Sequence, residues 1–231
     1  MMNDPGGGLK VNGFRVVKVF LVLAAFVGGS GCVTGKVLTL PGDLARPETR
    51  GAAQTTAAGP AVAVLDFTFE GAPTHEIGRD FDHARAIVWK GDPGKTMPDL
   101  IAGVLNEKGF RAVRVTSGAA VPADAIARVW GAVGKFRVET RKTGSLRIKV
   151  ESAASVSLTV YGTGGSAPPN WNSTVGSDYW TEEPFFITPE GVRDAVNGAA
   201  NAVAEETVRR LVAAGVIPGR ESLPESGRGG K

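Results

Sequence analysis

Hydrophobic and polar positions alternate most regularly in LRIKVESAASVSLTVYG, residues 146–162. Ile148, Val150, Ala154, Val156, Leu158 and Val160 hold one parity, and Arg147, Lys149, Glu151, Ser155, Ser157 and Thr159 the other. A period of two predicts a long strand with one dry face and one wet face. Just upstream, Trp130, Ala132, Phe136 and Val138 alternate with Lys135, Arg137 and Glu139, and RKTGS at 141–145 supplies a turn. The two runs predict an antiparallel hairpin whose dry face needs a helix over it.

That helix is the last element. Thr188 suits the N-cap, Pro189 the first helical position and Glu190 the first turn, while Val192, Val196, Ala199, Val203 and Leu211 form an apolar stripe that ends before Gly215 and Pro218. A second helix is read in MPDLIAGVLNEKGF, with Pro98 in its first turn, Leu100, Ile101, Val104 and Leu105 at helical spacing, Gly109 as the left-handed stop and Phe110 packing back. Strands are predicted at AVAVLDF, Ala61 to Phe67, and at Phe110 to Val115. The fold class is therefore α+β, one domain, with a mixed or antiparallel sheet whose long hairpin is covered on one face by two helices, in the order β-α-β-β-β-α. The domain is expected over residues 61–217. Residues 32–60, rich in Gly, Ala, Thr and Pro, read as a flexible tether, and 218–231 as a disordered tail.

The N-terminus has a different grammar. Lys10, Arg15 and Lys18 precede nine apolar residues, Val19 to Val27, and then small residues up to Cys32, the one cysteine of the chain. This is the order of a secretory signal over residues 1–31, too short to cross the hydrocarbon core comfortably. Gly29-Ser30-Gly31-Cys32 resembles the lipobox of bacterial lipoproteins, with Gly29 where that pattern prefers an aliphatic residue. The resemblance implies a membrane attachment through lipid on Cys32, and Val33 after it implies the periplasmic face of the outer membrane. The alternative is a plain secretory signal with a leftover thiol.

The charge balance follows from the same reading. Without residues 1–31 the chain holds 23 basic and 22 acidic residues, against 26 and 23 in full. A balanced surface lacks the concentrated positive footprint of nucleic-acid binding, so no nucleic-acid partner is expected.

Three stretches carry residues that could do chemistry. HEIGRDFDH carries both histidines, His75 and His83, with Asp80 as a further weak candidate for holding a metal. Ile77, Phe81, Ala84 and Val88 also follow helical spacing, which would make this an ordinary solvated helix face, and no metal or other cofactor is expected. GTGG at 162–165 reads as a turn, not a phosphate loop, because no Lys and helix follow it. PPNWNSTVGSDYWTEEPFF at 168–186 is richer: Trp171, Tyr179 and Trp180 suit partner or glycan contact, or else cap the open end of the core, as Phe185 and Phe186 do best. There is no GxSxG elbow, and the adjacent Glu182 and Glu183 cannot easily flank one glycosidic bond.

The opening AVAVLDF with DLIAGVLNEKGFRAVRV resembles the start of CsgG-like and TolB amino-terminal-like domains, and VWGAVGKFRVET with the long alternating strand and last helix resembles YajG-type lipoproteins. That group implies a non-catalytic accessory or assembly component of an envelope complex for secretion or polysaccharide export, with envelope proteins or further copies of itself as partners. The alternative function is a glycan-binding outer-membrane lipoprotein that takes polysaccharide on the aromatic segment.

Overall fold

A computed structural model describes residues 37–45, 59–71, 75–162 and 171–219. The predicted signal, Cys32 and most of both predicted tails lie outside these residues, as does the GTGG stretch beyond Gly162. The element order is β1 Val37–Leu40, β2 Ala61–Leu65, β3 Thr68–Phe69, β4 Glu76–Arg79, β5 Ala86–Trp89, α1 Pro93–Glu107, β6 Arg111–Val115, β7 Ala125–Lys142, β8 Arg147–Gly162, β9 Trp171–Pro184 and α2 Pro189–Ala213. The class is α+β, with one nine-stranded mixed sheet and two helices among the described residues.

β7 is the spine. One side of it pairs antiparallel with β8 along nearly its whole length, and β8 pairs antiparallel with β9. The other side is shared: β2, followed by β6, runs parallel to its first half, β3 to its middle, and β4 to its far half, where β5 and β1 continue the sheet. The expected order is therefore corrected by five more strands, β1, β3, β4, β5 and β9. β1 lies inside the stretch expected to be tether. Its apolar Leu38 and Leu40 reach the core, and its partner is β5. HEIGRDFDH is likewise not helical: β4 and β5 form a hairpin around it, and its apparent helical spacing came from four apolar residues distributed over two strands and a turn.

The long hairpin forms where the alternation placed it, with the Thr143 N–H bonded to the Arg147 carbonyl at the turn. Its parity is not constant. Ala127, Val129 and Val133 point to the core, then Phe136 and Val138 do. Between them, Gly134 and Lys135 together oppose Ser155, whose hydroxyl accepts the Lys135 N–H at 2.8 Å. This one-residue bulge flips the inward side. Trp130 and Ala132, expected on the dry face, therefore stand on the opposite one.

Both helices pack on one face of the sheet. α2 starts as its sequence dictates: the Thr188 hydroxyl accepts the Gly191 N–H at 3.0 Å, with Pro189 at the first position. Its small buried residues Ala195, Ala199, Ala200 and Ala204 let it lie close to β8 and β9. α1 begins earlier than Pro98, at Pro93, with Asp92 capping the Gly94 N–H at 2.8 Å. Pro98 sits inside the helix and cannot bond the Gly94 carbonyl four residues back. The Phe67 N–H takes that carbonyl at 2.8 Å, so the proline leaves no orphaned acceptor. Gly109 closes α1 at φ 93°, and the Phe110 N–H returns to the Leu105 carbonyl.

The core between sheet and helices holds Trp89, fully buried and edge-on to Phe136 at 5.3 Å. A smaller cluster of Ala61, Ala63, Val115 and Ala125, backed by Val121, covers the start of the other face.

Candidate functional site

From Arg128 onward that other face lies bare among the described residues. Register sets its membership: β7 contributes Arg128, Trp130, Ala132, Arg137, Glu139 and Arg141, β8 the odd positions Arg147 to Tyr161, and β9 the even positions Asn172 to Glu182. Its middle is floored by small side chains, Ala132, Ala153, Ser155, Ser157 and Gly176. Aromatic rings stand towards both ends: Trp130 and Tyr161 at one, each 42% exposed, and Trp180 at the other, 55% exposed.

Beside Trp130 the face is concave. A groove of about 460 Å³ is lined by Trp130, Ala132, Ser157, Thr159, Asn172 and Thr174, with the Ser157 and Thr174 hydroxyls 3.2 Å apart. The surroundings are neutral hydroxyls and an amide around one indole. At the Trp180 end the chemistry is charged. Lys149 Nζ lies 5.1 Å from the Trp180 ring centroid and 2.9 Å from Glu151, whose carboxyl is held below its ordinary range by that hydrogen bond and by the charges of Lys149 and Arg141.

The three aromatics expected to act together are divided by the strand's alternation. Trp171 and Tyr179 are odd-numbered and face the α2 side; Trp180 is even and stands on the open face. Trp171 packs against the core, and Tyr179 lies so close to Gly198 that any side chain there would run into its ring. The aromatic segment, which the predicted order left without an element, is a regular 14-residue strand. β9 has only β8 as strand partner among the described residues, and the Arg210 guanidinium bonds its Thr174 carbonyl at 2.9 Å.

His75, Asp80 and His83 do not gather. Asp80 is buried and already engaged: Arg85 Nε and Nη2 bond one carboxylate oxygen at 3.0 and 2.7 Å, and the Phe81 N–H bonds the other at 2.8 Å. His83 occupies the left-handed turn position of the β4–β5 hairpin, at φ 59°. Among the described residues no group of three or more His, Cys, Asp or Glu is placed to hold a metal ion, and no helix is long and apolar enough to cross a membrane.

Sequence reasoning missed Trp130 and Tyr161 as open-face aromatics, and Leu146, Phe185 and Phe186 as exposed apolar side chains. The flanking Gly134 and Lys135, a small residue and a charge interrupting an alternating strand, were the one available signal for Trp130.

No family model matches the chain, and no curated protein does. Solved structures to which the chain is similar include a PelC dodecamer from Paraburkholderia phytofirmans at 18% identity, covering 64% of this chain and 86% of that one, with a TM-score of 0.37. Protein XCC0632 from Xanthomonas campestris matches at 10% identity over 77% of this chain and 96% of its own, with a TM-score of 0.46. Bacterial lipoproteins are also among these neighbours: a minor lipoprotein from Acinetobacter baumannii is 13% identical over 68% of this chain and 95% of its own, with a TM-score of 0.34.

Proposed function

We propose that this chain is a non-catalytic accessory component of a bacterial envelope complex. It is anchored by lipid on Cys32 at the periplasmic face of the outer membrane and acts through contact with a partner chain or a further copy of itself. The observation that carries the contact is β9. Its 14 residues form a sheet edge with no strand partner on the outer side among the described residues, and its proline comes only at the last position, Pro184. A long edge of unpaired backbone groups is a template for strand addition, and proteins that do not use such edges blunt them. The anchor and the compartment rest on the basic, apolar and small-residue order that ends at Cys32. Crosslinking in native membranes, gentle detergent extraction and native mass measurement test the reading. A stoichiometric partner or a multimer is expected; a monomer that isolates with nothing overturns it.

One observation favours a second reading, glycan contact. The neutral groove beside Trp130 pairs an exposed ring with the hydroxyl and amide groups of Ser157, Thr159, Asn172 and Thr174. Envelope polysaccharide should shift the tryptophan emission of the wild-type protein, and Trp130→Ala should abolish the shift. An unshifted spectrum with wild type removes this reading.

A further inference from the structure

Among the described residues, the most exposed apolar cluster lies at neither of these places. Leu146, Phe185 and Phe186 are 57%, 65% and 63% exposed, and they meet at one end of the sheet, where the Phe185 N–H bonds the Leu146 carbonyl at 2.9 Å. We propose that this end, formed by the β7–β8 turn and the β9–α2 connection, is a membrane-docking tip: the three apolar side chains enter the interface of an anionic phospholipid surface, and Arg141 and Lys142 hold its headgroups.

The backbone presents the rings deliberately. Phe185 adopts φ 66°, an uncommon conformation for a bulky residue, and the Phe186 N–H closes a tight turn on the Pro184 carbonyl at 2.8 Å. The next residue, Ile187, is buried, so the chain returns to the core directly after turning two phenylalanines outward. Strained positions of this kind collect at functional sites.

Charge selects the occupant. The seven residues from Arg141 to Arg147 hold three bases and no acid. The acids around them are already engaged: Glu139 with Arg137 at 3.0 Å, Glu151 with Lys149 at 2.9 Å, and Glu182 with Arg147 at 2.8 Å. Glu183 accepts the Thr188 hydroxyl at 2.9 Å, at the start of α2. Lys142 has no carboxylate partner among the described residues, and Arg141 reaches Glu151 only at 3.9 Å. A leucine and two phenylalanines offer no hydrogen bond to a sugar, whereas an apolar tip with a basic rim suits an interface of anionic lipid.

This inference goes beyond the proposed anchor and does not depend on it. The test uses the full chain with Cys32→Ser and a single environment-sensitive dye on Phe186→Cys. The control is the same chain labelled at Ala123→Cys, an exposed site next to the start of β7 and so at the opposite end of an 18-residue strand. Vesicles of phosphatidylglycerol and phosphatidylethanolamine should shift the dye to the blue at 186 and not at 123. Arg141→Glu and Lys142→Glu should each weaken that binding roughly fivefold or more. Absence of a shift at 186, an equal shift at both sites, or an equal response to uncharged vesicles overturns the proposal. So does a shift that grows with protein concentration without vesicles, which would assign the tip to a second copy.

Discussion

The two faces of the layer formed by β7, β8 and β9 meet opposite surroundings, although one residue of β8 separates them at every step. On the covered face Ile148, Val150, Ala154, Val156, Leu158 and Val160 are all 2% exposed or less. On the open face Ser155, Ser157 and Thr159 alternate with them, the two serines beside small residues such as Ala132 and Gly176 and Thr159 beside Trp130. The covered face is filled by volume, because α2 must close over it; the open face carries rings and polar groups that no core requires. Stability and recognition are thus written on one strand in two parities, and substitutions can address them separately.

The comparison is broken most severely from the covered side. Trp89→Ala should cost about 3–5 kcal/mol, since it empties a fully buried site and removes the ring edge-on to Phe136. Chemical denaturation should show the midpoint falling with the slope unchanged. The sharper version uses neighbours: Leu158→Ala should cost about 2–5 kcal/mol and Ser157→Ala less than about 0.5 kcal/mol. Equal losses at these two positions would show that the open face is also a packing surface. Gly198→Leu drives a side chain into the Tyr179 ring and should cost about 1–3 kcal/mol while loosening β9 from α2, visible as faster amide exchange along that strand. Phe185→Gly should leave thermal stability unchanged or slightly raised, because relief of the left-handed conformation offsets the added freedom of the unfolded chain.

The smallest effect concerns pH. Hydrogen bonds from Arg209 and Arg210 lower the Glu206 carboxyl from its ordinary 4.5 to about 2. A depressed carboxyl favours the folded state above 4.5, and this contribution fades as pH falls towards 2. Glu206 lies half-buried at the surface and the gain is small, so the direct check is a carboxyl NMR titration, in which Glu206 should titrate well below its ordinary 4.5.

What could be read from sequence was local. The Thr188 cap, the Gly109 stop and the 141–145 turn depend on a few adjacent residues, and each stands where its spacing placed it. What escaped depended on distant partners. β1 is a strand because residues 86–89 accept it as a neighbour, some fifty positions away. β9 has polar Ser173, Ser177 and Thr181 on the side where a predicted strand would be dry, and it is pairing with β8 that makes it extended. Ile77, Phe81, Ala84 and Val88 fit a helical period by coincidence, and only their pairing in a hairpin resolves it. For the candidate site, the exposed aromatic character of Trp180 was legible; its separation from Tyr179 and the turning out of Trp130 required knowing the register.

The bulge at Gly134 and Lys135 turns length into heritable information. Gly78 and Arg79 of β4 pair with Val138 and Glu139 beyond it, and β5 and β1 follow β4. Loss of either bulge residue would restore plain alternation, leaving Phe136 opposite Ala154 and the three attached strands in register. A second extra residue would not be absorbed so easily: it would exchange inside and outside for Phe136 and Val138 unless the bulge widened. Descendants of this chain can therefore shorten β7 here by one residue, but not lengthen it.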